Sequence, residues 1–341
     1  MKQILITPEI EKVAQTYANT LFADKRSDFV WPLKGLRNLI IDLKEVNKDL
    51  TGRDKYVEYV ERIVRDYDDL QTLKPSNFEI YKSEYDKILK EEKLSGTVYH
   101  RGRDLPDSYE FRKSLKVKTG RFYNEIVERM HYKDCRLYLA PLMKEIGINT
   151  CVYCNIYPAF SSRARREAYY PFDHYKPKSK YPFLCTCFYN LNPICPECNG
   201  HKLNDDENKG YQLFVEKGVI RDPFVFKIDR KKIEEGNPQT VEVCFTPRVP
   251  KDKKLRDNYN EWYRIEDYYN DEGERESNYK MMKDIEKYRG SYVNATNASF
   301  PSIVDRRSLF LEVFGVKDDE NIFTNLKKKL KIDTAKDAKL I

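Results

Sequence analysis

Cysteine spacing constrains this chain more than any other feature. Four of its eight cysteines fall in two Cys-x-x-Cys pairs, Cys151/Cys154 and Cys195/Cys198. Each pair can present two thiolates from one tight turn, and two such pairs make the donor set of a tetrahedral four-cysteine zinc site. Four thiolates close the coordination sphere, so a zinc ion held this way is structural, and its binding free energy becomes folding free energy. The gap between the pairs, residues 155–194, exceeds the roughly 15–20 residues of an ordinary zinc ribbon, so other sequence is inserted between the ligands.

At 341 residues the chain exceeds the usual ceiling for a single core, which predicts two or three packed units. Hydrophobic residues make up 40%, with 26 Tyr and 17 Phe, enough to bury a core and to exclude wholesale disorder. No run of about 18 apolar residues is present, and Pro8 and Glu9 interrupt the apolar start before it reaches signal-peptide length. The expectation is a cytoplasmic protein with no membrane partner, in a compartment where thiols stay reduced and serve metal or catalysis. A net charge of +7 permits a nucleic-acid partner without requiring one.

The pattern along the chain predicts an α+β protein in three parts. Residues 1–147 read as a mainly helical domain. Thr7-Pro8 opens a stripe at Ile10, Val13, Ala14, Tyr17 and Leu21. Further stripes run through Tyr56 to Tyr67, Ile80 to Leu89, and Phe111 to Met130, and a shorter helix from Leu137 is closed by Gly147. Residues 148–208 lose the helical period and form the cysteine-stapled module. Residues 209–341 read as strands over Tyr211 to Ile228 and Thr240 to Pro247, then helices over Leu255 to Tyr269, Tyr279 to Tyr288, Ser302 to Val313 and Asn321 to Leu330, packed on the module. The basic run LKKKLK reads as a solvated helix edge, and Cys135 and Cys244 as core thiols.

Between and beside the cysteine pairs stand Asp173-His174, Pro177-Lys178-Ser179, Asn190-Leu191, Asn199 and Lys202. In this order they resemble the HNH endonuclease superfamily, whose ββα-metal motif carries Asp-His on its first strand, Asn on its second and a further Asn or His near its helix. The likeness covers about residues 148–205. It implies that His174 is the general base of phosphodiester hydrolysis and that Asp173 and Asn199 hold Mg²⁺ or another divalent cation. It also implies that Asn190 fixes the hairpin and orients the histidine. His201 competes with Asn199 for the third position. More narrowly, the CVYCN, DHYKPKSKYP and CPECN elements look like the nuclease subunits of Septu-type and retron-associated anti-phage defence systems, which implies DNA as substrate and an ATPase partner. The motif excludes neither DNA nor RNA.

Arg163, Arg165, Arg166, Lys176, Lys178 and Lys180, with Lys202, are candidates for tracking a phosphate backbone. Two rival readings keep the same residues. A non-catalytic zinc module that binds nucleic acid would be indifferent to His174→Ala. An interaction subunit would depend on its helical surfaces instead.

Overall fold

The computed structural model describes residues 2–22, 30–45, 47–48, 50–100, 118–159, 161–162, 167–202, 212–218, 220–297, 314–316 and 321–338. Helix α1 (Pro8–Thr20) starts where Thr7 accepts the Ile10 N–H on its side chain and proline occupies the first turn. It is followed by α2 (Pro32–Glu45), α3 (Arg53–Gln71), α4 (Phe78–Ile88) and the short α5 (Glu91–Leu94). The predicted stripes form the buried faces: Tyr56, Val60 and Ile63 on α3 are sealed from solvent. A buried ion pair, Arg129 to Asp42 at 3.2 Å, ties α2 to the later helix α6 (Phe122–Arg129).

The helical segment is not purely helical. Strands β2 (Thr97–His100) and β3 (Lys118–Arg121) pair antiparallel immediately before α6. Neither strand alternates apolar and polar residues, so only their mutual pairing reveals them. The Phe111 and Leu115 positions lie outside the described residues. Helix α7 (Tyr132–Glu145) begins after His131, which adopts a left-handed conformation at φ 54°.

The central segment carries the hairpins β4 (Ser161–Ser162) with β5 (Glu167–Ala168), and β6 (Phe172–His174) with β7 (Leu191–Pro193), then α8 (Pro196–His201). Strand β8 (Phe214–Val215) pairs in parallel with β1 (Ile4–Leu5) at the chain start, a long-range ladder absent from any local pattern. Strands β9 (Phe224–Ile228) and β10 (Val243–Pro247) form the longest ladder, with α9 (Arg230–Glu234) between them. Helices α10 (Lys253–Tyr263), α11 (Ile265–Tyr269), α12 (Glu272–Asn297) and α13 (Lys328–Asp337) follow. The class is α+β, and one continuous cluster of buried apolar side chains runs through all three segments. Among the described residues no helix is long and apolar enough to cross a membrane.

The C-terminal segment departs from expectation. Residues 321–327 form a clasp with a single 3-10 turn, Ile322–Thr324, and no α-helix before Lys328. Asn321 accepts the Phe323 N–H, and Lys327 turns left-handed at φ 52° before α13 begins. The clasp spends its polar groups on the central module. Asn155, left-handed at φ 59°, donates to the Ile322 and Asn325 carbonyls at 3.1 Å and accepts the Lys329 N–H. LKKKLK is correspondingly not a solvated edge: Lys328 and Lys329 are buried, with Lys329 2.8 Å from Asp222 and 3.2 Å from Asp333. Cys135 is buried as expected, whereas Cys244 is exposed because it lies on the outward face of β10.

Gly147 joins α7 to this clasp at φ 77°, and a Cβ there would stand 3.0 Å from Asn321 Nδ2 and 3.1 Å from Thr324 Cγ2. Gly147→Ala combines a disfavoured backbone with a crowded seam, so it is expected to cost about 1–3 kcal/mol in urea unfolding. An unchanged midpoint would show that the clasp shifts freely.

Candidate active site and metal centre

Two turns assemble the cysteines. In the first, the Asn155 N–H returns to the Cys151 carbonyl at 2.9 Å and Val152 donates to Pro193 at 3.1 Å, which docks the turn on β7. In the second, Cys195 caps α8, its sulfur 3.4 Å from the Cys198 N–H, with Pro196 in the first turn. All four sulfurs lie within 4.8 Å of one another and all are buried. Cys154 and Cys195 are 3.9 Å apart, close to the roughly 3.8 Å that tetrahedral bonds of about 2.3 Å require. Four buried cysteines thus form a cluster able to bind a metal such as zinc.

Burial opposes ionisation of Cys151, yet hydrogen bonds from its three sulfur neighbours hold it well below the usual thiol range. Burial pushes Cys154 up, and hydrogen bonding to its neighbours pushes Cys198 up. Burying more than one thiolate without a counter-charge is unfavourable, so a divalent cation relieves what the thiols alone cannot. Hydroxyls from the C-terminal helices satisfy the first turn: Tyr259 donates to the Tyr153 carbonyl at 2.7 Å and Tyr269 to that of Cys154 at 2.9 Å.

The β6/β7 hairpin sets Asp173 opposite Asn192 and His174 opposite Leu191. Adjacent strand residues face opposite ways, and here they do. Asp173 faces Tyr153 and Lys202, residues beside the two cysteine pairs. Its Oδ1 is 2.5 Å from Lys202 Nζ, and its Oδ2 accepts the Tyr153 hydroxyl, which in turn takes a hydrogen bond from Asn192 at 3.2 Å. His174 faces α7. Its Nε2 is 3.0 Å from the Cys185 carbonyl and its ring 4.5 Å from that of Tyr132, whose hydroxyl donates to the Phe172 carbonyl at 2.6 Å.

A carbonyl oxygen can only accept, so His174 Nε2 carries the proton and the neutral ring keeps its lone pair on Nδ1. Burial drives the imidazole pKa down to about 3. The hydrogen bond to Cys185 opposes this, while the charges of Lys178 and Lys202 add to it.

Asn190 is buried and fully engaged. It accepts the Lys176 N–H at 2.7 Å and donates to the Lys176 and Leu184 carbonyls, tying the exit of β6 to the residue before Cys185. The lysines divide by surroundings. Lys176 pairs with Glu79 at 2.5 Å and Lys180 with Glu91 at 3.2 Å, which bind the loop to α4 and α5. Lys178 stands 5.7 Å over the Tyr132 ring with no ion pair among the described residues. Lys202 is buried against Asp173 rather than presented to solvent. Arg163, Arg165 and Arg166 lie outside the described residues. Asn199 is exposed, and no hydrogen bond joins it to Asp173 among the described residues; His201 is exposed beside Tyr268, ring centres 6.1 Å apart.

These donors do not fit a resident divalent cation at Asp173. Its single charge is already matched by a buried ammonium, its second oxygen is taken, and among the described residues the only cluster of three or more His, Cys, Asp or Glu ligand atoms is the cysteine one.

Sequence reading missed Tyr153, Asn192 and Tyr132. Tyr153 lies inside the first cysteine pair and Asn192 two residues after Asn190, so spacing could have drawn attention to both. Nothing local marks Tyr132. No protein-family model, curated protein or solved structure matches the chain.

Proposed function

We propose that the chain is an HNH-type endonuclease, with DNA as its first substrate, a zinc ion in the four-cysteine cluster and His174 as the proton acceptor. The single observation that carries the reading is the bond from His174 Nε2 to the Cys185 carbonyl. It leaves a neutral imidazole with its lone pair on Nδ1, able to accept a proton at neutral pH, and burial makes it a weak base. Further support comes from the strand–strand–helix order of β6, β7 and α8, with the histidine closing the first strand.

In this mechanism Nδ1 takes a proton from a water that attacks phosphorus, the P–O bond on the far side breaks, and the leaving oxygen takes its proton from solvent. Lys178, beside Tyr132 and near the ring, supplies positive charge to the phosphate. Asn190 and Tyr132 position the base through the loop and the ring contact. Asp173 and Tyr153 hold β6 to the cysteine turns. A defence role with an ATPase partner extends the same reading and is tested by co-purification from the native operon.

A second reading, a non-catalytic nucleic-acid-binding or interaction module, is favoured by the neutralised Asp173 and the 8% exposure of His174. Incubating supercoiled plasmid and single-stranded RNA with the zinc-loaded protein separates the two. His174→Ala is expected to lower cleavage by at least about 10²-fold, the scale of a lost general base. Binding without cleavage, or cleavage equal in both proteins, would favour the second reading.

A further inference from the structure

We propose that the cation serving Asp173 is the Lys202 ammonium itself, and that the folded protein takes no divalent metal ion at that carboxylate. An ammonium carries three protons. Lys202 directs one to Asp173 Oδ1 at 2.5 Å and one to the His174 carbonyl at 3.1 Å, leaving a third for an anionic oxygen. It is buried but not sealed, with 8% of its surface open. The ligand chemistry that would use it is an anionic oxygen, such as a phosphate's, meeting a fixed positive charge on the Asp173 face of β6.

The fold also explains why this lysine stays in place. It follows α8 directly, its N–H returning to the Cys198 carbonyl at 3.1 Å, and α8 contains one of the four clustered cysteines, Cys198, and is capped by another, Cys195. A metal in the cysteine cluster would hold the helix, and the helix places the ammonium. Tyr153, from the other cysteine turn, fixes the second carboxylate oxygen. Both halves of the cluster thus converge on Asp173. A doubly charged ion would have to displace an ammonium held by two acceptors and find its remaining ligands without a second carboxylate.

The inference rests on the phosphodiester reading only for the identity of the anion; the cation assignment is read without nucleic acid. Mn²⁺ is titrated into the zinc-loaded full chain and the free ion is followed by electron paramagnetic resonance. The expected result is that wild type and Asp173→Asn bind Mn²⁺ alike, with no site dependent on the carboxylate. A wild-type site that Asp173→Asn abolishes would overturn the proposal. A failed cleavage assay leaves these outcomes unchanged, so the two readings fail separately.

Discussion

Stripping the metal from the cysteine cluster, or replacing Cys198 with serine, is expected to abolish the cooperative folding transition of the central and C-terminal segments together. Structural zinc in four-ligand sites contributes about 10–16 kcal/mol in small domains, as large as the whole stability of an ordinary protein. The effect spreads because so much is anchored on the cysteine turns. Asn155, adjacent to Cys154, holds the 321–327 clasp. The Tyr259 and Tyr269 hydroxyls cap the first turn, and α8 carries Lys202 to Asp173. Near-ultraviolet circular dichroism with and without chelator, alongside a zinc count per chain, reads the transition. Cys187→Ser, whose sulfur lies outside the cluster near the Leu73 carbonyl, should keep its metal. A chelated protein that melts as cooperatively as the loaded one would show that the cysteines pack without needing an ion.

Acid is expected to drain stability through His174. An unfolded imidazole takes up a proton near pH 6.5, whereas burial holds the folded ring neutral until about pH 3. Between those values the unfolded chain binds more protons than the native one. The contribution is therefore complete above pH 6.5 and is lost as pH falls toward 3, at about 1.4 kcal/mol per unit and about 5 kcal/mol in all. Urea unfolding of wild type and His174→Gln at pH 7, 6 and 5 isolates this residue from the carboxylates common to both. Wild type should lose about 2 kcal/mol more than the variant by pH 5. Parallel losses would mean that the ring titrates normally and is open to water. The same depression predicts that an imidazole-dependent cleavage activity lacks the acidic limb near pH 6.5 that an ordinary histidine imposes.

The helices were legible because their evidence is local. A three- and four-residue apolar period, Thr7-Pro8 at one end and Gly147 at another suffice to place α1, α3, α4 and the end of α7. The cysteine cluster was legible for a related reason: two short spacings encode two turns, and a shared metal demands that they meet. The β1/β8 and β2/β3 ladders were not, because each joins segments too short and irregular to alternate. The 321–327 stretch reads as α-helix by composition, yet beyond one 3-10 turn its backbone follows the side chains of Asn155 and Asn321 instead.

At the hairpin, sequence determined which chemically able residues stand together: Asp173 beside His174, Asn190 and Asn192 on the returning chain, Lys202 just after the last cysteine. Only the tertiary structure decided which way each one faces. Strand alternation sends the carboxylate toward Tyr153 and Lys202 and the imidazole toward Tyr132 and the Cys185 carbonyl. Spacing along a chain sets proximity, but charge pairing and burial depend on what distant segments bring to each face, and those contacts have no signature in the residues they enclose.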